Sequence, residues 1–109
     1  MKLLIAIVQD EDASRVVNEL MQSGYGVTKL ATTGGFLHSG NTTLLTGVES
    51  HKLQGALNII EKLCKSRKQI ASSPSPVGNG TGMYVPYPVE VMVGGATVFV
   101  MDIEQFKKF

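Results

Sequence analysis

Branched aliphatic residues fill positions 3 to 8 without a polar break, Leu3-Leu4-Ile5-Ala6-Ile7-Val8, which predicts a buried strand. The period then changes. Ala13, Val16, Val17, Leu20 and Met21 recur at three- and four-residue spacing, as on a helix with one apolar stripe. Asp10 or Asp12 would cap that helix, and acids suit its positive end. Gly24 suits the position just past its last turn. Tyr25 to Ala31 reads as a second strand with irregular alternation. Asn41 to Val48, rich in Thr, Leu and Val, reads as a third. A second helix is predicted from near Ser50, with Leu53, Ala56, Leu57, Ile60, Leu63 and Cys64 on its apolar stripe. Lys52, Glu61, Lys62 and Lys65 fall on its other side. Gly55 lowers helix propensity there by about 1 kcal/mol relative to alanine.

The last third of the chain has a different texture. Ala71 to Gly82 is mostly serine, proline and glycine, which predicts a long, mobile loop. Met83 to Pro88 is extended, because proline biases the residue before it towards β or polyproline geometry. Val89 to Val93 and Ala96 to Met101 read as strands around Gly94-Gly95, a hairpin or bulge signal. Ile103 to Phe109 is a short C-terminal turn. Strand, helix, strand, strand, helix, strands is the βαββαβ order of an α+β, ferredoxin-like sandwich. At 109 residues one domain is expected over residues 1–109, with a long loop between the second helix and the last strands. Both helices cover one face of such a sheet and leave the other bare. The aliphatics on the bare side of the first strand would then need a cover, so oligomerisation is expected.

Charge changes the picture little. The formal net charge is +1, which gives no reason to expect electrostatic binding to nucleic acid or to an acidic membrane. Cys64 is the single cysteine, so no internal disulfide can form and a reducing cytosol suits the chain. The aliphatic start is too short for a signal-peptide core and runs into Asp10-Glu11-Asp12. No run approaches the ~20 apolar residues of a membrane span. A soluble, cytoplasmic protein is expected.

Candidate chemistry concentrates between Thr28 and Thr43, TKLATTGGFLHSGNTT. Phe36-Leu37 sits between Gly34-Gly35 and Gly40-Asn41, with small hydroxyl residues on both sides. The double glycine permits positive φ and close approach of another molecule. Phe36 offers a flat ring, and Thr28, Thr32, Thr33, Asn41 and Thr42 offer neutral donors and acceptors. The set suits a planar, polar-edged, phosphorylated small molecule. A hairpin connection with its aromatic packed on a core edge would read the same way. Neither glycine segment fits a phosphate-binding P-loop or the dinucleotide fingerprint, whose glycines lie between a strand and a helix. Catalysis is poorly supported. His38 and His51 have no nucleophile beside them in sequence, Ser72, Ser73 and Ser75 stand among prolines, and Cys64 lies on an apolar stripe. No Cys/His spacing marks a metal site. Lys65-Ser66-Arg67-Lys68 is accounted for by compensation of a helix dipole. A non-enzymatic protein without cofactor or metal is expected.

Three blocks, LLIAIVQD (Leu3 to Asp10), the segment from Thr28 to Thr43, and YVPYPVEVMVGGATVFV (Tyr84 to Val100), resemble the PII-like cyclic di-AMP receptor family. The resemblance spans essentially the whole chain and keeps the spacing between blocks. It implies a homotrimer related to the PII nitrogen regulators, with cyclic di-AMP in each cleft between neighbouring subunits. It also implies signalling to an unknown downstream protein through loop conformation, with a short loop at Thr33 to Gly40 and a long one at Arg67 to Pro88. By the same resemblance Thr28 would contact phosphate or ribose. Gly35, Phe36 and Leu37 would wall the adenine pocket, and Asn41 would read an adenine edge. Gly47 would supply backbone contacts near the base, and Phe99 would pack on the other adenine. The general chemistry agrees: an amide side chain pairs with an adenine edge, and base–aromatic stacking supplies ~1–3 kcal/mol per base.

The chain departs from the family pattern at three positions. Arginine is common where Gly26 stands, arginine or lysine where His38 stands, and a neutral amide where Lys108 stands. A lost charge-assisted phosphate contact removes ~1.5–3 kcal/mol. Lys29, His38 and Lys108 are candidates to replace it. The alternative reading is a PII-like adaptor that binds another adenine nucleotide (ATP or ADP), or only a protein partner.

Overall fold

The computed structural model describes residues 1–30, 40–76 and 84–109, and the backbone alone at 71–76 and 84–87. The elements are β1 (Lys2–Gln9), α1 (Asp10–Gln22), β2 (Thr28–Leu30), β3 (Asn41–Val48), α2 (Leu53–Cys64), β4 (Arg67–Pro76), β5 (Tyr84–Val93) and β6 (Ala96–Asp102). A 3-10 turn over Ser50–Lys52 leads into α2. Strands β2, β3, β1 and β6 lie side by side in that order, every neighbour antiparallel. This is the ferredoxin-like α+β fold that the element order predicts, and it is consistent with the PII-like form that the resemblance implies.

Burial alternates along β1. Leu4, Ala6 and Val8 are buried, whereas Leu3, Ile5 and Ile7 are half-buried. The first set packs with Leu44 and Val48 of β3 against Ala13, Val16 and Leu20 of α1 and Ala56, Ile60 and Cys64 of α2. Two amphipathic helices therefore close one face of the sheet, as their apolar stripes require. Tyr25 joins this core from the edge and donates its hydroxyl to the Lys52 carbonyl at 2.8 Å. A side chain at Gly55 would collide with that hydroxyl, which accounts for a glycine inside α2.

Four expectations need correction. First, neither Asp10 nor Asp12 caps α1. The N-cap is Gln9, in extended geometry and without a side-chain bond, because β1 runs into α1 with no intervening loop. The acids fall inside the first turn instead, still at the positive end of the helix. Second, the strand read over Tyr25 to Ala31 is shorter, only Thr28–Leu30, and Ala31 lies outside the described residues.

Third, the stretch read as a loop from Ala71 to Gly82 is strand as far as Pro76. Strands β4 and β5 form a separate two-stranded ribbon, from Arg67 opposite Val93 to Pro76 opposite Tyr84. The prolines explain how. Pro74 faces Pro86, Ser72 faces Pro88 and Pro76 faces Tyr84, so all four prolines occupy one alternate set of pairs. In an antiparallel ladder alternate pairs direct their N–H groups away from the partner. Proline has no N–H to donate, so confining the prolines to one alternate set leaves the N–H groups of the other set free to bond across the ribbon. Residues 77–82 of the expected loop, and Met83 of the expected extended segment, lie outside the described residues.

Fourth, Gly94-Gly95 does not close a hairpin between its flanking strands, since β5 pairs with β4 and β6 with β1. Both glycines have positive φ, +81° and +90°, and turn the chain from ribbon to sheet. Gly94 N–H donates to Gln9 Oε1 at 2.8 Å, and Gly95 N–H donates to the Cys64 carbonyl. A Cβ on Gly94 would lie 2.8 Å from the Lys65 carbonyl, so close approach demands glycine there as well. The segment from Ile103 to the C-terminus forms no regular element.

Candidate functional site

Register decides which candidate residues share a surface. Thr28 faces Leu45, Leu45 faces Ile5, and Ile5 faces Phe99, so these four form one row across the sheet. Side chains two apart share a face, which adds Leu3, Ile7, Asn41, Thr43, Gly47, Thr97 and Met101. That face is opposite the helices. Thr28, Asn41, Gly47 and Phe99, scattered through the sequence, therefore stand on a single surface. Much of it is apolar and open: Phe99 is 52% exposed, Met101 46% and Leu30 41%.

The same register separates two of them. Thr28 is on β2 and Phe99 on β6, the two edge strands. Three inter-strand spacings, roughly 14 Å, lie between them. One adenine cannot touch both within one chain.

Asn41 opens β3 opposite Gln9 and is half-buried. A cleft of about 370 Å³ is lined there by Gln9, Asp10, Glu11, Gly40 and Asn41. Asp10 N–H donates to the Gly40 carbonyl at 2.7 Å, and the Thr42 hydroxyl donates to the Asp10 carboxylate. The start of α1 is thus pinned to the start of β3, and Asn41 emerges from that joint. Gly47 is exposed, with nothing within 4 Å of a Cβ placed on it.

The candidate phosphate contacts are placed unequally. Gly26 is exposed and has open space where a side chain would start. Lys29 faces Leu44, a core residue, so it stands on the helix side of β2, away from Thr28 and Phe99. Lys108 is exposed in the irregular C-terminal segment. Gly35, Phe36, Leu37 and His38 lie outside the described residues.

A buried charge cluster escaped the sequence reading. The Asp12 side chain is fully buried in the first turn of α1, and its Oδ1 accepts from Arg15 Nη2 at 2.7 Å and Arg67 Nη2 at 2.9 Å. The hydrogen bond from Arg67, then that from Arg15, holds its pKa below the ordinary 3.8 against the opposing pull of burial. Arg15 was findable at the (i, i+3) position of α1. Arg67 was not, because 55 residues separate it from Asp12. Cys64 is buried and its pKa is pushed up to about 11, first by burial and then by the Asp12 charge. It is a neutral core thiol at pH 7 and a poor nucleophile. Among the described residues no group of His, Cys, Asp or Glu is placed to hold a metal ion, and no helix is long and apolar enough to cross a membrane.

Comparison with known proteins bears on the fold and the family. A solved structure of a functionally unknown protein from Pediococcus pentosaceus ATCC 25745 is 42% identical, with a TM-score of 0.77 over 99% of this chain and 96% of that one. A DUF3240 family protein from Shewanella baltica OS155 is 13% identical, with a TM-score of 0.57 over 99% of this chain and 94% of that one, and shares the fold alone. Residues 1–109 match the family model described as cyclic-di-AMP receptor, and the chain belongs to that family.

Proposed function

We propose that this member of the cyclic-di-AMP receptor family is a non-enzymatic signalling receptor that binds cyclic di-AMP between subunits of a homotrimer. The separation of Thr28 and Phe99 on opposite edge strands carries the proposal. A cleft formed by β2 of one subunit and β6 of the next would bring the two residue types close together around one ligand, instead of three strands apart as they are within one chain. The half-buried Ile5 and the exposed Phe99 and Met101 supply the apolar surface that association would bury.

The charges orient the ligand. Asp10 and Glu11 line the cleft beside Asn41, where a phosphate would be repelled but an adenine amino group or a ribose hydroxyl would find acceptors. The phosphates are then directed towards Thr28, with Lys108 as the remaining described cation among the candidates. Gly35, Phe36 and Leu37 would close over the adenine, Gly47 would let the base approach the backbone, and Phe99 would stack on the second adenine. Binding would change loop conformation and so reach a downstream protein.

Isothermal titration with cyclic di-AMP, with ATP and cyclic di-GMP as controls, tests this reading. A saturable signal near one ligand per subunit, lost in Asn41→Ala and absent for cyclic di-GMP, is expected. Tighter binding of ATP would shift the assignment to another adenine nucleotide. No heat and no thermal shift with any nucleotide would leave the adaptor reading in its place.

A further inference from the structure

The chain's ten lysines and arginines are unevenly distributed. Arg15, Lys62, Lys65 and Arg67 line a single cleft of about 430 Å³ at the root of the β4–β5 ribbon, where Leu63 and Ser66 complete the lining. No acid is among these residues. Lys62 and Lys65 stand at the negative end of α2, and dipole compensation accounts for that pair. It does not account for Arg15 on α1 or Arg67 on β4.

The two arginines are held rigid. Both donate to Asp12 Oδ1, at 2.7 and 2.9 Å, and Asp12 is fully buried. Arg67 Nη1 also donates to the Lys65 carbonyl at 3.2 Å. A guanidinium carries five N–H donors in one plane, so both groups retain donors after anchoring. Their side chains remain 58% and 41% exposed. A fixed pair of cations loses little freedom when it binds an anion. Asp12 offsets one of the four charges, and Glu11, whose field also reaches Arg67, offsets part of another. The cleft stays locally positive in a chain whose net charge is only +1.

The surroundings favour a polypeptide over a small ion. The cations come from α1, the end of α2 and β4, and Arg67 leads directly onto Lys68 and Ile70 of the ribbon. Ile70 is 71% exposed, and Met92, opposite Lys68, is 61% exposed. We propose that this cleft is a docking site for an acidic, carboxylate-bearing segment of a partner protein. The proposal stands whether or not the open sheet face binds a nucleotide.

A fluorescein-labelled glutamate-rich peptide, followed by fluorescence anisotropy on the full chain, tests it. Saturable binding at about 0.15 M salt is expected, weakened about tenfold or more by Lys62→Glu with Lys65→Glu. The charge-matched pair Lys52→Glu with Lys107→Glu should leave the peptide affinity unchanged. Circular dichroism checks that each variant folds, and cyclic di-AMP titration of the first pair should match the parent. Absence of saturable binding would overturn the proposal, as would equal loss in both pairs. Full displacement of the peptide by millimolar inorganic phosphate would also overturn it, in favour of a small-oxyanion site.

Discussion

The two faces of one sheet use nearly the same amino acids to different ends. On β1, Leu4, Ala6 and Val8 alternate with Leu3, Ile5 and Ile7, so residue type does not distinguish the faces. What covers them does. The helices bring Leu4, Val8 and Leu44 to 1% exposure or less, while Phe99, on the other face, keeps 52%. Hydrophobic burial stabilises in proportion to the area removed from water. The helix-covered face therefore holds the chain together, and the bare face retains open apolar surface, which the proposed subunit contact and ligand would use. Thr28, Asn41 and Gly47 stand on the bare side, where a substitution can alter binding without unpacking the core.

The largest effect that would test this contrast is Leu44→Ala. It should destabilise the protein by about 2–5 kcal/mol, read as a lower urea midpoint, with folding lost before any change specific to ligand. Next comes Gly26→Arg. Nothing lies within 4 Å of a Cβ there, and Gly26 is not among the glycines with positive φ, so arginine fits without strain. Restoring a charge-assisted phosphate contact should tighten cyclic di-AMP binding by ~1.5–3 kcal/mol; weaker binding would place the phosphates away from β2. Phe99→Ala should weaken the same ligand by ~1–3 kcal/mol while leaving the urea midpoint at low protein concentration close to that of the parent. Equal unfolding of Phe99→Ala and Leu44→Ala would break the distinction between the faces. Lys29→Ala, on the helix side of β2, should not change ligand affinity measurably.

The last prediction concerns pH. The Asp12 pKa is lowered in the folded protein by Arg67 and Arg15. The unfolded chain therefore takes up the proton first as acid is added. The stabilisation from Asp12 is complete above the ordinary value of 3.8 and is lost as pH falls through the lower folded value. Asp12→Asn should flatten the acid side of a stability-versus-pH curve in that window. The Asp102 carboxylate, lowered by Lys2, would keep its own part of the slope in this variant. An unchanged slope would show that the Asp12 cluster does not couple protonation to folding.

Elements whose signal is local were legible. The third strand was read at its observed bounds, Asn41–Val48, because its β-branched run ends at clear polar breaks. The second helix followed from its apolar spacing. The ribbon was missed because serine, proline and glycine lower strand propensity residue by residue, while what admits the prolines is their pairing across two segments. The even spacing of Pro74, Pro76, Pro86 and Pro88 was the available clue. The first helix was assigned a capping side chain that it lacks, since a strand running straight into a helix leaves Gln9 at the cap. Candidate ligand residues came from the family resemblance, whereas their common face came from strand register.

By itself the sequence determined the order and type of the two helices and the strands of the four-stranded sheet, and the family to which the chain belongs. Both are written in short-range patterns: hydrophobic period, glycine position and motif spacing. Tertiary structure decided what depends on residues far apart in the chain. It set Thr28 and Phe99 on opposite edges of one face, buried Asp12 between Arg15 and Arg67, and gathered four cations at the root of the ribbon. Such contacts form only when strand pairing and helix packing close long loops, and no local pattern records which distant partner a side chain will meet.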